Sequence, residues 1–281
     1  MIAICPNPFR DSELKYTMQA AEMLHAAGYE TAVCPVFAED APQMIPEDIK
    51  ATTLDAVRSR CSLVVVIGGD GTILSAARQL HNADIPILGV NLGSKGFMAA
   101  LEPEHMQLIV KAAAGEYTVS RRMMLDIELE RGGEIIYRDK ALNDVVLHGY
   151  GDCIRLTAWC AGDRITSFSG DGIILSTPTG STGYSMSAGG PIVEPEASAI
   201  IVSPICAHMM SARSYVLSAS HDVSVLAEKL HGRRAYISVD GNSVMDLANG
   251  DLLRVRRSER CILMADMGLK SFFDLAFEKL T

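Results

Sequence analysis

Leu63-Val64-Val65-Val66-Ile67-Gly68-Gly69-Asp70-Gly71-Thr72 decides the fold. Residues 63–67 are aliphatic on both faces, as a central strand of a parallel sheet requires. A glycine-rich turn follows, and residues 72–80 read as a helix. The same rhythm extends in both directions. Residues 2–5 form a short apolar strand. Ser12 is placed to cap a helix ending at Ala27, with Leu14, Met18, Ala21 and Leu24 at helical spacing and Gly28 at the position that favours a C-terminal glycine. Residues 31–36 form a strand, 38–48 a loop containing Pro42 and Pro46, 53–60 a short helix and 85–90 another strand. Alternating strand and helix predicts a parallel sheet with helices on its faces. The fold class is therefore α/β, Rossmann-like, in the first part of the chain.

The pattern changes after about residue 116. Turn signals recur at Arg131-Gly132-Gly133, Gly149-Tyr150-Gly151, Ala161-Gly162-Asp163, Asp240-Gly241-Asn242 and Asn249-Gly250-Asp251. Between them apolar and polar residues alternate: Ile154, Leu156, Ala158 and Cys160 on one side, Arg155, Thr157 and Trp159 on the other; Ala235, Ile237 and Val239 repeat the alternation. This reads as a mainly antiparallel β domain. One helix is expected to begin near Ser181, and residues 269–280 form an amphipathic helix that packs back on the first domain. The expected division is 1–100 plus 266–281 for the α/β domain and 101–265 for the β-rich one. The length of 281 residues allows two such domains at roughly 150 residues each.

Apolar residues make up 48% and charged residues 21%, which excludes general disorder. A net charge of −9 argues against sequence-independent nucleic-acid binding, which needs a basic face. No apolar run approaches the roughly 20 residues of a membrane span. The first residues lack the basic and hydrophobic regions of a signal peptide. Seven scattered cysteines without CxxC pairs fit reduced thiols in a cytoplasmic setting.

Of 23 glycines, six fall within residues 68–96 and six within 170–190. Such density marks backbone that turns sharply or approaches a ligand. After a parallel strand, glycines expose N–H groups to phosphate and the next helix adds its positive end. Asp70 in that setting reads as a metal-proximal group or a general base, because a bare carboxylate repels phosphate. A tight turn with a helix-capping aspartate is the plainer reading. The chain has no G-x-x-x-x-G-K-[ST], and Leu74 stands where a Rossmann fingerprint needs its third glycine.

Gly68-Gly69-Asp70-Gly71-Thr72 occurs in NAD kinases and in diacylglycerol- and sphingosine-type lipid kinases. Further segments separate these. Gly89-Val90-Asn91-Leu92-Gly93-Ser94-Lys95-Gly96-Phe97-Met98, Ala141-Leu142-Asn143-Asp144-Val145-Val146-Leu147-His148, the stretch DGIILSTPTGSTGYSMSAGGP from Asp171, Ser203-Pro204-Ile205-Cys206-Ala207-His208 and Ser238-Val239-Asp240-Gly241 resemble NAD kinase motifs, in the family's order.

The resemblance implies phosphoryl transfer from ATP, or polyphosphate, to the 2′-hydroxyl of the adenosine ribose of NAD, giving NADP. It implies an NAD site between an α/β and a β-rich domain, and a homodimer or homotetramer. Asp70 matches the general base. Asn143 and Asp144 match the pair that holds the ribose hydroxyls, and Asp171 an NAD-contacting aspartate. Gly71, Thr182, Gly183, Tyr184, Ser185, Met186, Ser187 and Asn242 complete the expected NAD contacts. Gly68, Gly69, Gly71, Thr72, Asn91 and Gly93 are the expected donor-phosphate contacts. Mg2+ is expected through the donor phosphates, with no protein metal site. Asp144 replaces the commoner Glu, Gly183 an Ala and Asn242 a Gln; Ser94-Lys95 stands at a variable position of the family motif, and Ser169-Gly170 where some members carry a basic residue before the aspartate. Arg121, Arg122 and Arg155 are candidate phosphate contacts, with a surface role as the plainer reading. The alternatives are a lipid kinase and a non-catalytic NAD(P)-binding sensor.

Overall fold

The computed structural model describes residues 1–280 except 38–40, 48, 81–82, 94–95 and 210–211. It divides into two compact units, 1–122 with 262–281 and 123–261.

The first unit begins with β1 (Ile2–Pro6), α1 (Lys15–Ala26), β2 (Thr31–Val33), α2 (Leu54–Val57), β3 (Leu63–Gly68), α3 (Asp70–Leu80), β4 (Ile87–Asn91) and α4 (Leu108–Ala113). The strands are parallel in the order β2-β1-β3-β4. Both faces of β3 are buried, which is why its sequence shows no alternation. Ile2, Ile4, Leu63, Val65, Ile67, Leu88 and Val90 share a core with Ala20 and Leu24 of α1 and Ile109 and Ala112 of α4. That packing puts α4 in the first unit. The first division therefore falls after Arg122 rather than at residue 100, since the chain cannot leave a core that its own helix completes. Gly89 is a packing glycine: a Cβ there would lie 2.7 Å from Ile73 Cδ1 and 2.8 Å from Ala99 Cα.

The start of α1 differs from expectation. Residues 12–14 form a separate 3-10 turn, and Glu13 and Leu14 have φ of 55° and 52°. The cap is Asp11. One carboxylate oxygen accepts from Tyr16 N–H at 2.9 Å; the other accepts from Thr17 N–H at 2.9 Å and Thr17 Oγ1 at 2.6 Å. Asp11 is buried and Ser12 exposed. The inward face of α1 is Thr17, Ala20, Ala21 and Leu24, so Met18 points outward. Gly28 does close the helix, at φ 85°. The strand at 31–36 ends at Val33, and the helix at 53–60 is α2, capped by Thr53, followed by a 3-10 turn. Part of the 38–48 loop lies outside the described residues.

The second unit is antiparallel: β5 (Thr118–Arg131, entering from the first unit), β6 (Glu134–Ala141), β7 (Asp144–Gly149), β8 (Ile154–Cys160), β9 (Asp163–Gly170), β10 (Gly172–Ser176), α5 (Tyr184–Ser187), β11 (Ala199–Ile205), β12 (Tyr215–Ser218), β13 (Val223–Glu228), β14 (Ala235–Val239) and β15 (Asn242–Asp246). One sheet runs β12-β11-β10-β7-β14-β15. Opposing it, β8 pairs with β9 and β13, and β5 with β6. Leu125, Leu147, Leu156, Leu175, Ile200, Val225, Ile237 and Leu253 fill one core from both layers. Asp251 is fully buried, receiving two hydrogen bonds from the Arg131 guanidinium at 2.8 and 2.7 Å and one from Ala248 N–H at 2.8 Å.

The chain returns through β16 (Leu252–Asp266), whose start pairs with β13 and whose Met264 pairs with Ile87 of β4, to α6 (Phe272–Leu280) in the first unit. No described helix is long and apolar enough to cross a membrane.

Asp11→Ala leaves the N–H groups that open α1 without a buried acceptor, and should cost about 2 kcal/mol. Ser12→Ala should cost less than about 0.5 kcal/mol, as an exposed side chain without a cap bond does. Urea denaturation of the two variants checks the assignment; equal losses would return the cap to Ser12.

Candidate active site

The expected site residues fall into two groups, one in each unit. In the first unit, β3 ends at Gly68 and α3 begins at Asp70. The Asp70 carboxylate turns back to accept from Phe97 N–H at 2.8 Å and Met98 N–H at 3.2 Å. Burial pushes its pKa above the ordinary carboxylate value, while those two N–H groups and the charges of Lys279 and Arg122 pull it down. Gly96 lies against this carboxylate: a Cβ there would sit 2.8 Å from Asp70 Oδ1. Gly96 is thus required by Asp70 itself.

The expected phosphate contacts separate under the geometry. Gly68 is closed off, because a Cβ would lie 2.5 Å from Thr72 Oγ1 and 3.0 Å from Asn7 Cβ. Thr72 is fully buried and accepts from Asn7 Nδ2 at 3.0 Å. Asn91 is 4% exposed; its Nδ2 donates to both Glu102 oxygens at 3.2 Å and its Oδ1 accepts from Gly93 N–H at 3.0 Å. The side chains of Thr72 and Asn91 are therefore spent on holding the loops. Gly69 has open space above its Cα, and Gly71 meets only the edge of the Phe37 ring at 3.3 Å. Gly93 lies beside Arg10, whose Nη1 donates to Leu92 O at 3.4 Å. Arg10 is a cation at this loop that sequence reasoning missed, since nothing in its own neighbourhood marks it. Ser94 and Lys95 lie outside the described residues.

In the second unit the organiser is Asp240. It occupies the left-handed region, φ 47°, in the turn from β14 to β15. Its carboxylate accepts from the N–H groups of Leu142 at 2.9 Å, Asn143 at 2.7 Å and Asp144 at 3.1 Å. The same loop is tied to the 177–183 segment. Thr177 N–H donates to Asn143 O at 2.8 Å, Thr177 Oγ1 donates to Leu142 O at 2.6 Å, and Gly180 N–H donates to Thr177 Oγ1 at 3.0 Å. A Cβ at Gly180 would lie 2.2 Å from Asn143 O, so only glycine fits.

This clamp leaves Asn143 Oδ1 buried with no hydrogen-bond partner. Such an acceptor is costly unless water or a ligand donor satisfies it. Gly183 keeps the neighbouring amide open: a Cβ there would stand 3.7 Å from Asn143 Nδ2 and 3.3 Å from Gly180 O. Asp144 is 7% exposed, and burial followed by the nearby Asp240 charge pushes its pKa up to about 7.

The remaining expected contacts vary. Tyr184 opens α5 and is 41% exposed, its ring stacked on His148 at 6.5 Å between centroids. His148 in turn meets Tyr236, and Tyr236 meets Tyr150, an aromatic row that sequence reading did not single out. Ser187 and Asn242 are exposed, and Thr182, Met186 and Asp171 half-buried. Thr182 Oγ1 donates to Thr179 O at 3.2 Å. Ser185 is fully buried and shares a 3.0 Å hydrogen bond with Ser203 Oγ. Arg155 is committed to Ser167 Oγ at 3.0 Å. Among the described residues no three or more His, Cys, Asp or Glu side chains converge as metal ligands.

Residues 2–117 match the family model of the ATP-NAD kinase N-terminal domain, and residues 120–266 that of the ATP-NAD kinase C-terminal domain. The chain belongs to the NAD kinase family. An NAD kinase from Acetivibrio thermocellus is 35% identical over 277 residues, covering 98% of this chain and 94% of that one. One from Geobacter metallireducens is 39% identical over 232 residues, covering 81% of each. Among solved structures, yeast NADH kinase complexed with NADH superposes with a TM-score of 0.86 at 27% identity, over 99% of this chain and 86% of that one. An NAD kinase from Archaeoglobus fulgidus in complex with ATP gives 0.76 at 25% identity, over 100% and 98%. Both halves of the chain match NAD kinase models, which does not favour the lipid-kinase alternative.

Asp144 has a measurable signature. Its neutral form is favoured in the folded state, so the penalty for ionising it is absent below the unfolded carboxylate pKa of roughly 3.9. That penalty grows as pH rises and is complete above the folded value of about 7. Asp144→Asn, which stays neutral, should gain stability relative to wild type between pH 4 and 7 and show a constant difference above that. Denaturant midpoints across the range test this; a gap independent of pH would mean that Asp144 ionises normally.

Proposed function

We infer that this chain is an NAD kinase, transferring a phosphoryl group from ATP to the 2′-hydroxyl of the adenosine ribose of NAD and releasing NADP and ADP. The observation that carries the reading is Asp70. In a chain whose two halves match both NAD kinase domains, one carboxylate stands where a parallel strand meets a helix N-terminus, fixed by two backbone N–H groups.

A ribose hydroxyl is a weak nucleophile, and phosphoryl transfer depends on positioning and charge neutralisation. Asp70 accepts the 2′-hydroxyl proton as that oxygen attacks the γ-phosphorus and the bond to ADP breaks. Its raised pKa makes it a better proton acceptor than a surface carboxylate. Asn143 offers an unpartnered Oδ1 beside its Nδ2, which suits the donor and acceptor pattern of adjacent sugar hydroxyls. Asp144, balanced between its two protonation states near pH 7, can give or take a hydrogen bond beside it. The exposed Tyr184 ring supplies a stacking surface for a planar base. Asp171, Thr182, Met186, Ser187 and Asn242 are further dinucleotide contacts in this reading. Open backbone at Gly69 and Gly71, with Arg10 beside Gly93 and the N-terminal end of α3, supplies the contacts for the donor phosphates.

The protein offers no cage for magnesium among the described residues, and the donor's phosphate oxygens suit it as ligands. When bound, the ion neutralises charge on those oxygens.

The purified protein with NAD, ATP and Mg2+ should form NADP, and Asp70→Asn should lower kcat by about 10²- to 10⁴-fold, the usual contribution of a general base. Tight NAD binding without turnover on ATP, another nucleoside triphosphate or polyphosphate would favour the sensor reading instead. Full activity in Asp70→Asn would remove the base assignment alone.

A further inference from the structure

The carboxylate of Asp70 is oriented by the N–H groups of Phe97 and Met98, so its direction is only as fixed as that segment. Residues 96–98 belong to no helix or strand, although Met98 is buried and Leu101 beyond it pairs with β4. What reaches this segment is α6, the last helix of the chain. Lys279 Nζ donates to Gly96 O. The same ammonium lies 5.7 Å from the centroid of the Phe97 ring, within cation–π reach. At the other end of the helix, Phe272 meets Phe97 ring to ring at 6.5 Å between centroids. One nine-residue helix therefore grips residues 96–97 at two points.

The remaining charges of α6 are committed elsewhere. Lys270 pairs with Glu278 at 2.6 Å. Ser271 and Asp274 form a reciprocal cap, with Ser271 N–H donating to Asp274 Oδ2 at 2.9 Å and Asp274 N–H to Ser271 Oγ at 3.1 Å. The cap matters because so short a helix is marginal by itself. No residue of α6 is fully buried, so burial does not fix it in place. Its end is held to the rest of the unit by Lys279.

We propose that Lys279 is a positioning residue for the phosphoryl transfer: by holding Gly96 and Phe97, it fixes the backbone N–H groups that aim the Asp70 carboxylate. This rests on the NAD kinase reading for its kinetic consequence, though not for its structural one. Lys279 acts through Gly96 and Phe97. Its second effect is electrostatic, since its charge and that of Arg122 are the two that favour the ionised form of Asp70 against burial.

The test compares Lys279→Met, which keeps most of the apolar stem, with Lys279→Arg, which restores the donor and the charge. Lys279→Met should lower kcat by about 10-fold with KM for NAD and ATP little changed, because a small misalignment of a reacting group is costly. Its kcat/KM profile should move its acid limb to higher pH, and Lys279→Arg should recover both. Amide exchange supplies a readout independent of activity: a peptide covering 97–98 should exchange at least several-fold faster in Lys279→Met than in wild type. An unchanged exchange rate together with an unchanged pH profile overturns the proposal. Faster exchange in Lys279→Met, with a wild-type protein that forms no NADP, would keep the positioning role and remove the NAD kinase reading. A uniform loss of kcat without a shifted profile or faster exchange would mean general destabilisation, and would also overturn it.

Discussion

Asp70 accepts two backbone N–H groups from residues 97 and 98, and the first unit is arranged around that contact. For the carboxylate to reach them, residue 96 must lack a side chain, and β4 must deliver the chain to the right height beyond β3. The second requirement explains Gly89, where any Cβ would push Ile73 of α3 and Ala99 apart. Glycines that look like a phosphate loop thus divide into two kinds. Gly68, Gly89 and Gly96 let protein approach protein, while Gly69 and Gly71 leave backbone open. The same device recurs in the second unit. Asp240 gathers three consecutive N–H groups, and Asn143 and Asp144 inherit their placement from it.

The second clamp places two carboxylates close together. Asp240 has backbone donors to offset its charge, and Asp144 does not have that advantage. Burial and its neighbour therefore act on Asp144 in the same direction. In the proposed reading, a group that meets sugar hydroxyls gains from this. An acid that is neutral part of the time can donate a hydrogen bond that a fixed carboxylate cannot. The replacement of Glu by Asp at 144 shortens the side chain by one methylene, and the Asp240 clamp sets the backbone from which that shorter reach begins.

Much of the fold was legible because its signals are local. The apolar run at 63–67, the glycine at 28 and the alternation at 154–160 each need only a few neighbours to be read, and the strands fall where those signals lie. What escaped was contact between residues far apart in sequence. Asp11 caps α1 from five and six residues away across a 3-10 turn, so the adjacent serine took its place in the reading. The boundary at residue 122 follows from Ile109 and Ala112 entering the core of β1 and β3, which spacing does not reveal. Within the site, Asp70, Asn143 and Asp144 were visible as motif residues. Arg10, which meets its loop 82 positions later, left no local trace; Asp240 was visible in a motif and a turn, but its contact with Asn143 across 97 positions was not. The internal partners of Thr72, Asn91 and Ser185 and the tight packing at Gly68 were likewise not legible, because composition cannot distinguish a group that faces solvent from one bonded inside.

The inward-turned aspartates bear on how fast the protein meets its ligands. A chain with a surplus of nine negative charges repels anions at long range. Asp11, Asp144 and Asp251 are nearly inaccessible, and Asp11 and Asp251 also have their oxygens occupied by donors. Of these only Asp251 is neutralised by a cation, Arg131; the donors to Asp11 offset the cost of its burial. The repulsion that remains comes from surface groups, which ions shield over a distance of about 8 Å at physiological salt. Encounter with a nucleotide is therefore slowed mainly in dilute buffer, whereas the local geometry of the two clamps is insensitive to the surrounding electrolyte.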